Sequence, residues 1–536
     1  MNIFLKKFFN KNLLLILFLT STEFCFGFPN QISGNGPVAK TTYGKVKGYF
    51  DNGICVFKGI PYGADTRNRR FLPPIPPEPW IGIKDAVEFG PIAPQPNFRS
   101  SDFYPIPKNP KISENCLNLN IWTPALHDGK KRAVMVWFHG GGYDGWTSNI
   151  DLYNGVNLCK RGDVVVVTVN HRLNGFGFLY LGKIAGKKYE SSGDVGMLDI
   201  VLSLKWIKNN IAQFGGNPDN ITIFGQSGGG AKCATLMAMP SAKGLFQKVI
   251  TMSGQQLTGR TKEHANKTAL KILEKLNINA NNFDEINKIP MKKLIKAFIG
   301  NQFAPVTDGV ILPHDPFSPA ASPLSKEIPM IMGNTHDETT YLIGLRDTSL
   351  FNLTWNELPR KIFQYIKPFI GTISPDSIIT KYRKLYPSYS PSDVFFAATT
   401  AARSWKGMVI ESEKRALQNG AATYVYELDW KTPVQKGRLK SPHTLDVPLA
   451  FDNVKFGASM TGTGADAQRM ADIISSTFIA FAQTGNPNNK FIPNWPKFNL
   501  VKRPTMIFDL TPKVVDDPRG DERKFFENVI YIQPGT

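Results

Sequence analysis

The stretch Asn220-Ile-Thr-Ile-Phe-Gly-Gln-Ser-Gly-Gly-Gly230 joins a strand pattern to a glycine-lined turn. Apolar and β-branched residues precede Gly225, which is typical of a buried β-strand. Ser227 then stands between Gly225 and Gly229 at the G-x-S-x-G spacing, where a tight strand-to-helix turn leaves room only for glycine-sized neighbours. Its hydroxyl would project at the start of a helix, where backbone N–H groups can receive a developing negative charge. The stretch therefore predicts a nucleophilic serine.

Strand patterns and a helix pattern alternate on both sides of this turn. Segment 195–214 has apolar residues at helical spacing and predicts a long helix. Alternating strands and helices favour an α/β fold, with a central, mostly parallel sheet covered by helices on both faces. No repeat or Pro/Gly/Ser linker divides the chain, so one domain over residues 28–536 is expected. The predicted strands are 42–48, 54–58, 133–138, 164–169, 221–224, 248–252, 329–333 and 423–428.

Residues 1–27 have the pattern of a secretory signal peptide. Lys6, Lys7 and Lys11 precede a short apolar run at 13–19, and small residues follow up to Gly27, where cleavage is expected. The apolar run is too short to span a bilayer comfortably, and no later segment is longer and equally apolar. The sequence therefore predicts an exported protein, periplasmic or secreted, without an integral membrane segment in the mature chain.

The chain is basic, with 63 Lys and Arg against 43 Asp and Glu and a net charge of +20 at pH 7. Its lysines are scattered and accompany no nucleic-acid-binding motif, so a solvated basic surface is expected and a nucleic-acid partner is not. The five cysteines form no CxxC pair and no Cys/His cluster at zinc-ligand spacing. Neither a metal site nor a cofactor is expected.

A serine hydroxyl becomes a good nucleophile only when a base removes its proton and a carboxylate orients that base. After a nucleophile turn of this kind, the acid and then the histidine follow along the chain. The candidate bases are His314, His336 and His443. His443 follows the predicted strand 423–428, and catalytic groups gather at the carboxyl ends of parallel strands. His443 is therefore the preferred base.

The carboxylate is less clearly specified by spacing. Asp337 and Glu338 are adjacent at the end of another predicted strand, 329–333, and the spacing does not choose between them. His336, beside both carboxylates, is a competing base, but it precedes the acid instead of following it. Both carboxylates remain candidates on the residues alone.

Backbone donors for an oxyanion are predicted from two glycine-rich turns. Trp137-Phe-His-Gly-Gly-Gly-Tyr143 ends a strand pattern with three glycines, which let the backbone pass close to a substrate. Its order and separation from the G-x-S-x-G turn make a merely flexible loop a poor explanation. The N–H groups of Gly141, Gly142 and Gly228 are the predicted donors.

Taken together, these motifs resemble the type B carboxylesterases, the family that also contains the cholinesterases, and especially its bacterial para-nitrobenzyl-esterase-like branch. The resemblance covers nearly all of the chain after the signal segment and implies the α/β-hydrolase fold. It is carried by Phe57-Lys-Gly-Ile-Pro-Tyr62, Ser113-Glu-Asn-Cys-Leu-Asn-Leu-Asn120, the HGGG turn, Val169-Asn-His-Arg-Leu-Asn-Gly-Phe-Gly-Phe178, the segment 214–227 and Gly333-Asn-Thr-His-Asp-Glu338.

The resemblance assigns roles that spacing leaves open. It implies that Glu338 is the catalytic acid, that His443 is the base and that Ser253 bonds to Glu338. It also implies two structural ion pairs, Arg70 with Glu114 and Arg172 with Asp199. The family pattern further places an acyl pocket at Ile299, Asn301 and Phe303, just before the Pro-Val-x-Asp-Gly motif.

The chain departs from the family pattern in four respects. Gln226 stands where the family usually has Glu, which implies a less stabilised imidazolium and weaker attraction for cationic substrates. Gly228 replaces the usual Ala, and its N–H is retained. Ala93 replaces the first cysteine of a family disulfide, so Cys116 is expected to be a free, buried thiol. No Trp lies between Ala93 and Cys116 to form a cation–π face, so choline esters are not expected as substrates.

The sequence thus predicts an exported serine carboxylesterase that hydrolyses esters of small to medium apolar acyl groups through an acyl-enzyme. The predicted partner is a small-molecule ester. A non-catalytic binding or adhesion relative is an alternative, although such proteins usually lack a triad residue that this chain keeps. Hydrolysis of another acyl bond, in an amide, thioester or lactone, is a second alternative, because the same triad serves them all.

Overall fold

The computed structural model of the chain describes residues 36–96, 103–107 and 109–534. From Gly36 onward, these residues form one compact unit. The predicted signal segment 1–27 lies outside the described residues, so its function remains a prediction.

The strands, in chain order, are β1 Val38–Lys40, β2 Lys45–Lys47, β3 Tyr49–Asp51, β4 Ile54–Pro61, β5 Ile83–Asp85, β6 Asn118–Thr123, β7 Arg132–Phe138, β8 Val165–Val169, β9 Gly216–Gln226, β10 Lys248–Met252, β11 Met330–Thr335, β12 Thr423–Leu428, β13 Pro504–Phe508 and β14 Lys513–Asp516.

The α-helices are α1 Val156–Gly162, α2 Asn174–Phe178, α3 Gly182–Ala185, α4 Val195–Asn210, α5 Gly228–Leu236, α6 Lys262–Lys275, α7 Met291–Phe298, α8 Leu358–Ile366, α9 Pro375–Leu385, α10 Pro391–Thr399, α11 Lys406–Leu417, α12 Asp446–Ala450, α13 Ala458–Thr461, α14 Ala465–Thr484 and α15 Gly520–Phe525. Two further segments, Thr340–Gly344 and Thr400–Trp405, are π-helical.

Most strands join one large sheet, which has 11 strands in the described part of the chain. Its order is β14-β13-β12-β11-β10-β9-β7-β8-β6-β4-β3. The strands from β13 across to β8 run parallel, whereas β14 at one edge and β6, β4 and β3 at the other are antiparallel. The carboxyl ends of β9, β11 and β12 therefore lie at the same edge of the sheet.

Alternate side chains of the central strands enter two different cores. On β7, Val134 and Val136 belong to one apolar cluster, and Met135 and Trp137 belong to the other. The first cluster includes residues of α4, and the second includes residues of α14. Because successive strand residues point to opposite faces, this division means that helices cover the sheet on both sides, as predicted.

Several predicted elements are confirmed at or near their predicted bounds. Strands 248–252 and 423–428 coincide with β10 and β12. The predicted helix 195–214 is α-helical as far as Asn210 and continues as a 3₁₀ turn over Ile211–Phe214. In the described residues, no helix has the length and apolarity needed to cross a bilayer.

Other elements differ from the prediction. Within 42–48 only Lys45–Lys47 is a strand, and it pairs with β1 and β5 in a separate small sheet. The sequence analysis missed β6 and β13. The polar residues Asn118 and Asn120 interrupt the apolar pattern that would predict β6 as a buried strand. Asn120 is nevertheless buried, and its Oδ1 accepts a hydrogen bond from Gly59 N at 2.9 Å. β13 begins with Pro504, a residue that argues against a strand.

Candidate active site

The predicted nucleophile turn connects β9 directly to α5. Ser227 has φ 56° and ψ −128°, an uncommon backbone conformation for a residue with a side chain. Its N–H donates to Met252 O on the neighbouring strand at 2.8 Å. A Cβ on Gly229 would lie 1.9 Å from Phe138 O, and one on Gly225 would lie 2.4 Å from Gly229 C. Glycine on both sides of Ser227 is therefore a steric requirement.

A histidine and a carboxylate reach the same edge from the next strands. Glu338 follows β11 and His443 follows β12, two adjacent parallel strands. His443 Nδ1 is hydrogen-bonded to Glu338 Oε2, and the two residues are only 4% and 0% exposed. Ser227 and His443 line the same two cavities. The three residues that the resemblance joined thus come together at one place.

Four donors hold the carboxylate of Glu338. Ser253 Oγ donates to Oε1 at 2.5 Å, Thr335 N at 3.0 Å and Asn334 Nδ2 at 3.1 Å, while His443 bonds to Oε2. Burial by itself would raise the pKa of Glu338, but the attraction of His443 and these hydrogen bonds hold that pKa below its usual value. Glu338 is therefore a carboxylate at neutral pH.

The neighbouring carboxylate points elsewhere. Asp337 Oδ2 lies 3.1 Å from His336 Nδ1 and accepts a hydrogen bond from Ser441 N at 3.3 Å. The two acids that spacing could not separate therefore contact different histidines. Glu338 faces His443, and Asp337 supports the loop that carries His443.

His443 Nε2 has an unexpected neighbour. Gln226 Nε2 lies 3.0 Å from it, so the Gln226 amide donates to the ring nitrogen that a serine hydroxyl would use. Among the described residues, no hydrogen bond joins Ser227 Oγ to His443. Gln226 is 2% exposed and also lies at the edge of one of the two cavities.

The two glycine-rich turns lie against each other. Gly141 and Gly142 have φ values of 82° and 62°. A Cβ on Gly228 would lie 2.2 Å from Gly142 O, so the two backbones are nearly in contact. Within the described part of the chain, the N–H groups of Gly141, Gly142 and Gly228 donate to no protein acceptor. These three predicted donors are therefore available to a ligand oxygen.

Lys232 stabilises the glycine turn 139–142 by hydrogen bonds. The sequence patterns did not predict this role. This lysine on α5 is fully buried, and its Nζ donates to Gly142 O at 2.7 Å and to His139 O at 3.1 Å. Burial lowers the pKa of Lys232 to about 7, although the nearby Cys233 and Asp144 act in the opposite direction. A lysine pattern suggests an exposed helix face, so no signal in the sequence reveals this contact.

Two cavities meet at Ser227, Gly142, Leu342 and His443. The first, here called the polar cavity, has a volume of about 230 Å³ and is further lined by Gln255, Gln256, Arg403, Ser404 and Tyr531. The second, here called the aromatic cavity, has a volume of about 330 Å³ and is further lined by Tyr104, Trp146, Tyr153, Tyr341 and Arg346. A molecule with its reacting atom at Ser227 could extend into both.

The three residues predicted to form the acyl pocket lie outside the polar and aromatic cavities. Ile299, Asn301 and Phe303 line neither cavity at Ser227. Ile299 is 56% exposed, and the ring of Phe303 packs against that of Phe298, with centroids 5.7 Å apart. Their assignment to an acyl pocket therefore stays a prediction.

The expected scaffold contacts are present. Arg70 binds Glu114 through two nitrogens at 2.7 and 2.5 Å, and Arg172 binds Asp199 in the same way at 2.8 and 2.7 Å. Cys116 is free and buried, as predicted. In the described residues, no group of three or more His, Cys, Asp or Glu side chains is placed to hold a metal ion. The predicted absence of a cofactor remains a prediction.

Comparison with known proteins gives matches over almost the whole chain. The model of the carboxylesterase family matches residues 35–526. The para-nitrobenzyl esterase of Bacillus subtilis is 35% identical over 503 residues, which are 91% of this chain and 98% of that protein. The phenmedipham hydrolase of Pseudarthrobacter oxydans is 28% identical over 86% of this chain and 93% of its own.

Solved structures are similar over the same extent. A carboxylesterase of Geobacillus stearothermophilus, crystallised at pH 6.2, superposes with a TM-score of 0.80 at 35% identity. The superposition covers 91% of this chain and 99% of that structure.

Proposed function

The chain belongs to the carboxylesterase family and is a carboxylic ester hydrolase of the α/β-hydrolase fold, and on this premise we propose that Ser227, His443 and Glu338 carry out the hydrolysis. The observation that carries this proposal is the hydrogen bond between His443 and the buried carboxylate of Glu338, directly beside the cavity wall at Ser227. It is the arrangement of a base and its orienting acid next to a nucleophile.

In the acylation step, His443 Nε2 takes the proton of Ser227 Oγ while Oγ forms a bond to the ester carbonyl carbon. The carbonyl oxygen becomes an oxyanion and accepts hydrogen bonds from the N–H groups of Gly141, Gly142 and Gly228. The tetrahedral intermediate then collapses: the bond to the alcohol oxygen breaks, and His443 gives its proton to that oxygen. The alcohol leaves, and the acyl group remains on Ser227.

In the deacylation step, a water molecule replaces the alcohol. His443 removes a proton from the water, the hydroxide oxygen attacks the acyl carbon, and the carboxylic acid leaves as the proton returns to Ser227 Oγ. Glu338 remains ionised throughout, because its lowered pKa keeps the proton on the imidazole. It fixes the orientation of the ring and stabilises the imidazolium.

The Gln226 amide must move away from His443 Nε2 before the acylation step can begin. Its amide nitrogen occupies the lone pair of His443 Nε2 that would accept the proton of Ser227. Gln226 lines the aromatic cavity, so a substrate that enters this cavity can displace the amide from His443 Nε2.

The two cavities limit the size of the ester. Their volumes of about 230 and 330 Å³ suit small to medium groups on either side of the ester bond. The apolar preference predicted from Ile299, Asn301 and Phe303 stays a prediction, and the rings of the aromatic cavity provide an apolar surface beside Ser227. We expect p-nitrophenyl acetate and butyrate to be hydrolysed faster than long-chain esters, and a strong preference for long chains would contradict this.

Ser227→Ala and covalent labelling together test the triad. We expect the variant to lose about 10⁶-fold in kcat, the order found when a triad serine is removed. An organophosphate should label the unmodified chain at Ser227 alone, as mass spectrometry of its peptides can show. An unlabelled but folded protein would favour the non-catalytic binding alternative.

We also propose that the protein is exported and cleaved after Gly27, on the pattern of residues 1–27. N-terminal sequencing of the mature protein should then begin at Phe28. Recovery of the intact N-terminus in the cytoplasmic fraction would contradict export.

A further inference from the structure

Arg403 is a cationic side chain inside the cavity that holds the reacting serine. It lies in the π-helical segment Thr400–Trp405 and lines the polar cavity together with Ser227 and His443. π-Helical turns within helices are frequent at functional sites. Arg403 places a positive charge in the polar cavity, whose lining among the described residues otherwise contains one acidic side chain, Glu338, and no further Arg or Lys.

The position of this arginine is tied to that of the catalytic acid. Thr339, the residue after Glu338, bonds through Oγ1 to Thr400 Oγ1 at 2.9 Å, and its N–H donates to the same oxygen at 3.3 Å. All of these threonine atoms are buried. These hydrogen bonds fix the position of the π-helical segment that carries Arg403 relative to the segment that carries Glu338.

Arg403 has no carboxylate partner among the described residues. Its guanidinium Nη1 donates to the adjacent Ser404 Oγ at 3.2 Å. In contrast, the buried arginines Arg70, Arg172 and Arg519 each bind a carboxylate through two nitrogens. Arg403 is half-buried, so its guanidinium faces the cavity without a counter-charge from the described residues and can pair with an anion that enters it.

The one acidic side chain of that cavity is already occupied. Glu338 uses both oxygens for His443, Ser253, Asn334 and Thr335. Burial lowers the pKa of Arg403, while Glu338 and Tyr531 act in the opposite direction, and an arginine remains protonated at neutral pH. Gln255 and Gln256 also line the cavity. Their amide nitrogens donate to Asn334 Oδ1 at 3.1 Å and to Thr258 O at 2.7 Å, and each amide keeps a second N–H for a ligand oxygen.

We propose that Arg403 binds a carboxylate of the substrate, so that the preferred esters carry a second, ionised carboxyl group a few bonds from the ester carbon. Half-esters of short dicarboxylic acids are the simplest members of this class. The guanidinium fork of Arg403 matches the two oxygens of a carboxylate. The aromatic cavity, whose one cation in the described part of the chain, Arg346, is exposed to solvent, takes the uncharged side of the ester. This inference rests on the proposed function, since it takes Ser227 as the reacting atom.

The test uses matched ester pairs on the mature chain. Monoethyl glutarate is compared with ethyl pentanoate, which places the charge on the acyl side. The acetyl ester of 3-hydroxypropanoate is compared with propyl acetate, which places it on the alcohol side. Proton release gives kcat and KM for each. We expect the carboxylated ester of at least one pair to have the higher kcat/KM, through a lower KM.

The preference should depend on Arg403. In Arg403→Leu the ratio of kcat/KM within the preferred pair should fall about tenfold or more, the scale of a charge-assisted hydrogen bond. Arg403→Lys should keep part of it. Arg360→Leu is the matched control, because Arg360 is exposed on α8 and removal of its charge should not change the ratio. Thermal unfolding checks that each variant is folded, and Arg403→Gln is the substitute if the leucine variant is not.

The outcomes separate the two proposals. If the unmodified chain hydrolyses none of the four esters, nor the p-nitrophenyl esters, the proposed function fails. If it hydrolyses them but shows no preference for a carboxylated ester, or a preference that Arg403→Leu and Arg403→Gln leave unchanged, the role of Arg403 is overturned while the triad stands.

Discussion

At the residue scale, Gln226 is the side chain that most directly affects the base. Its amide lies 3.0 Å from His443 Nε2, and it brings no charge to that position. A carboxylate at this position would stabilise a neighbouring imidazolium and attract a cation, and Gln226 supplies neither effect. We therefore expect residue 226 to influence both the pH dependence of kcat/KM and the charge of the esters that the enzyme accepts.

Gln226→Glu tests this directly. We expect the acid limb of the kcat/KM profile to move to higher pH, because a carboxylate beside the ring stabilises its protonated form. The rate ratio of acetylcholine to its neutral isostere 3,3-dimethylbutyl acetate should rise several-fold. An unchanged profile together with an unchanged ratio would mean that the Gln226 side chain does not act on His443.

Gly228 is a second residue whose size matters. A Cβ there would lie 2.2 Å from Gly142 O and 2.5 Å from Gly142 Cα, so Gly228→Ala must displace the oxyanion turn. Loss of one oxyanion donor typically lowers kcat by about 10²–10³-fold, and we expect a fall of at least about tenfold here. Gly464→Ala is the control, because a Cβ at Gly464 meets nothing within 4 Å. Equal kcat values for both variants would show that the turn tolerates the methyl group.

At the scale of elements, α5 does more than follow the nucleophile. Its Lys232 reaches back to Gly142 O and His139 O, so the helix that presents Ser227 also holds the turn with the predicted oxyanion donors. The two halves of the site are thereby fixed to one element.

Lys232→Met tests this anchor through its pH dependence. The pKa of Lys232 is about 7 in the folded chain against an ordinary 10.5, so between these pH values the unfolded state binds more protons. The free energy of unfolding therefore rises with pH in that window because of this lysine, and methionine removes the effect. The free energy of the unmodified chain minus that of the variant should increase from pH 7 to pH 10 in urea unfolding.

The activity of the same variant reports on the turn itself. Without the two hydrogen bonds from Nζ, the turn at Gly142 loses its support, and kcat should fall with little change in KM. A difference in stability that does not vary with pH, combined with a normal kcat, would contradict the anchoring role.

At the scale of the whole molecule, buried ion pairs connect distant parts of the chain. Arg70 binds Glu114 with two nitrogens and donates its third to the carbonyls of Ile286, Asn287 and Ile289. One side chain thus joins three segments that are far apart in sequence. Such contacts favour unfolding of the described unit in a single cooperative transition.

Glu114→Ala should therefore be strongly destabilising. Removal of one partner leaves the guanidinium of Arg70 buried without a counter-charge, at a cost of about 3–5 kcal/mol in the free energy of unfolding. The exposed pair of Lys288 and Glu285 is the control, and Glu285→Ala should lower the free energy of unfolding far less than Glu114→Ala does. Comparable losses for the two variants would contradict this account of the Arg70 pair.

The sequence by itself determined the strand-to-helix turn at Ser227, the glycine turn before Tyr143, the alternation of strands and helices and the bounds of β10 and β12. These features depend on neighbouring residues, because backbone conformation and the periodicity of burial are local properties.

Only the tertiary structure decided which side chains meet. Sheet order and helix packing brought Glu338, and not Asp337, to His443, buried Lys232 under the glycine turn and placed Arg403 in the polar cavity. Such contacts join residues far apart in the chain, and their geometry follows from strand register and helix packing, which no local pattern records.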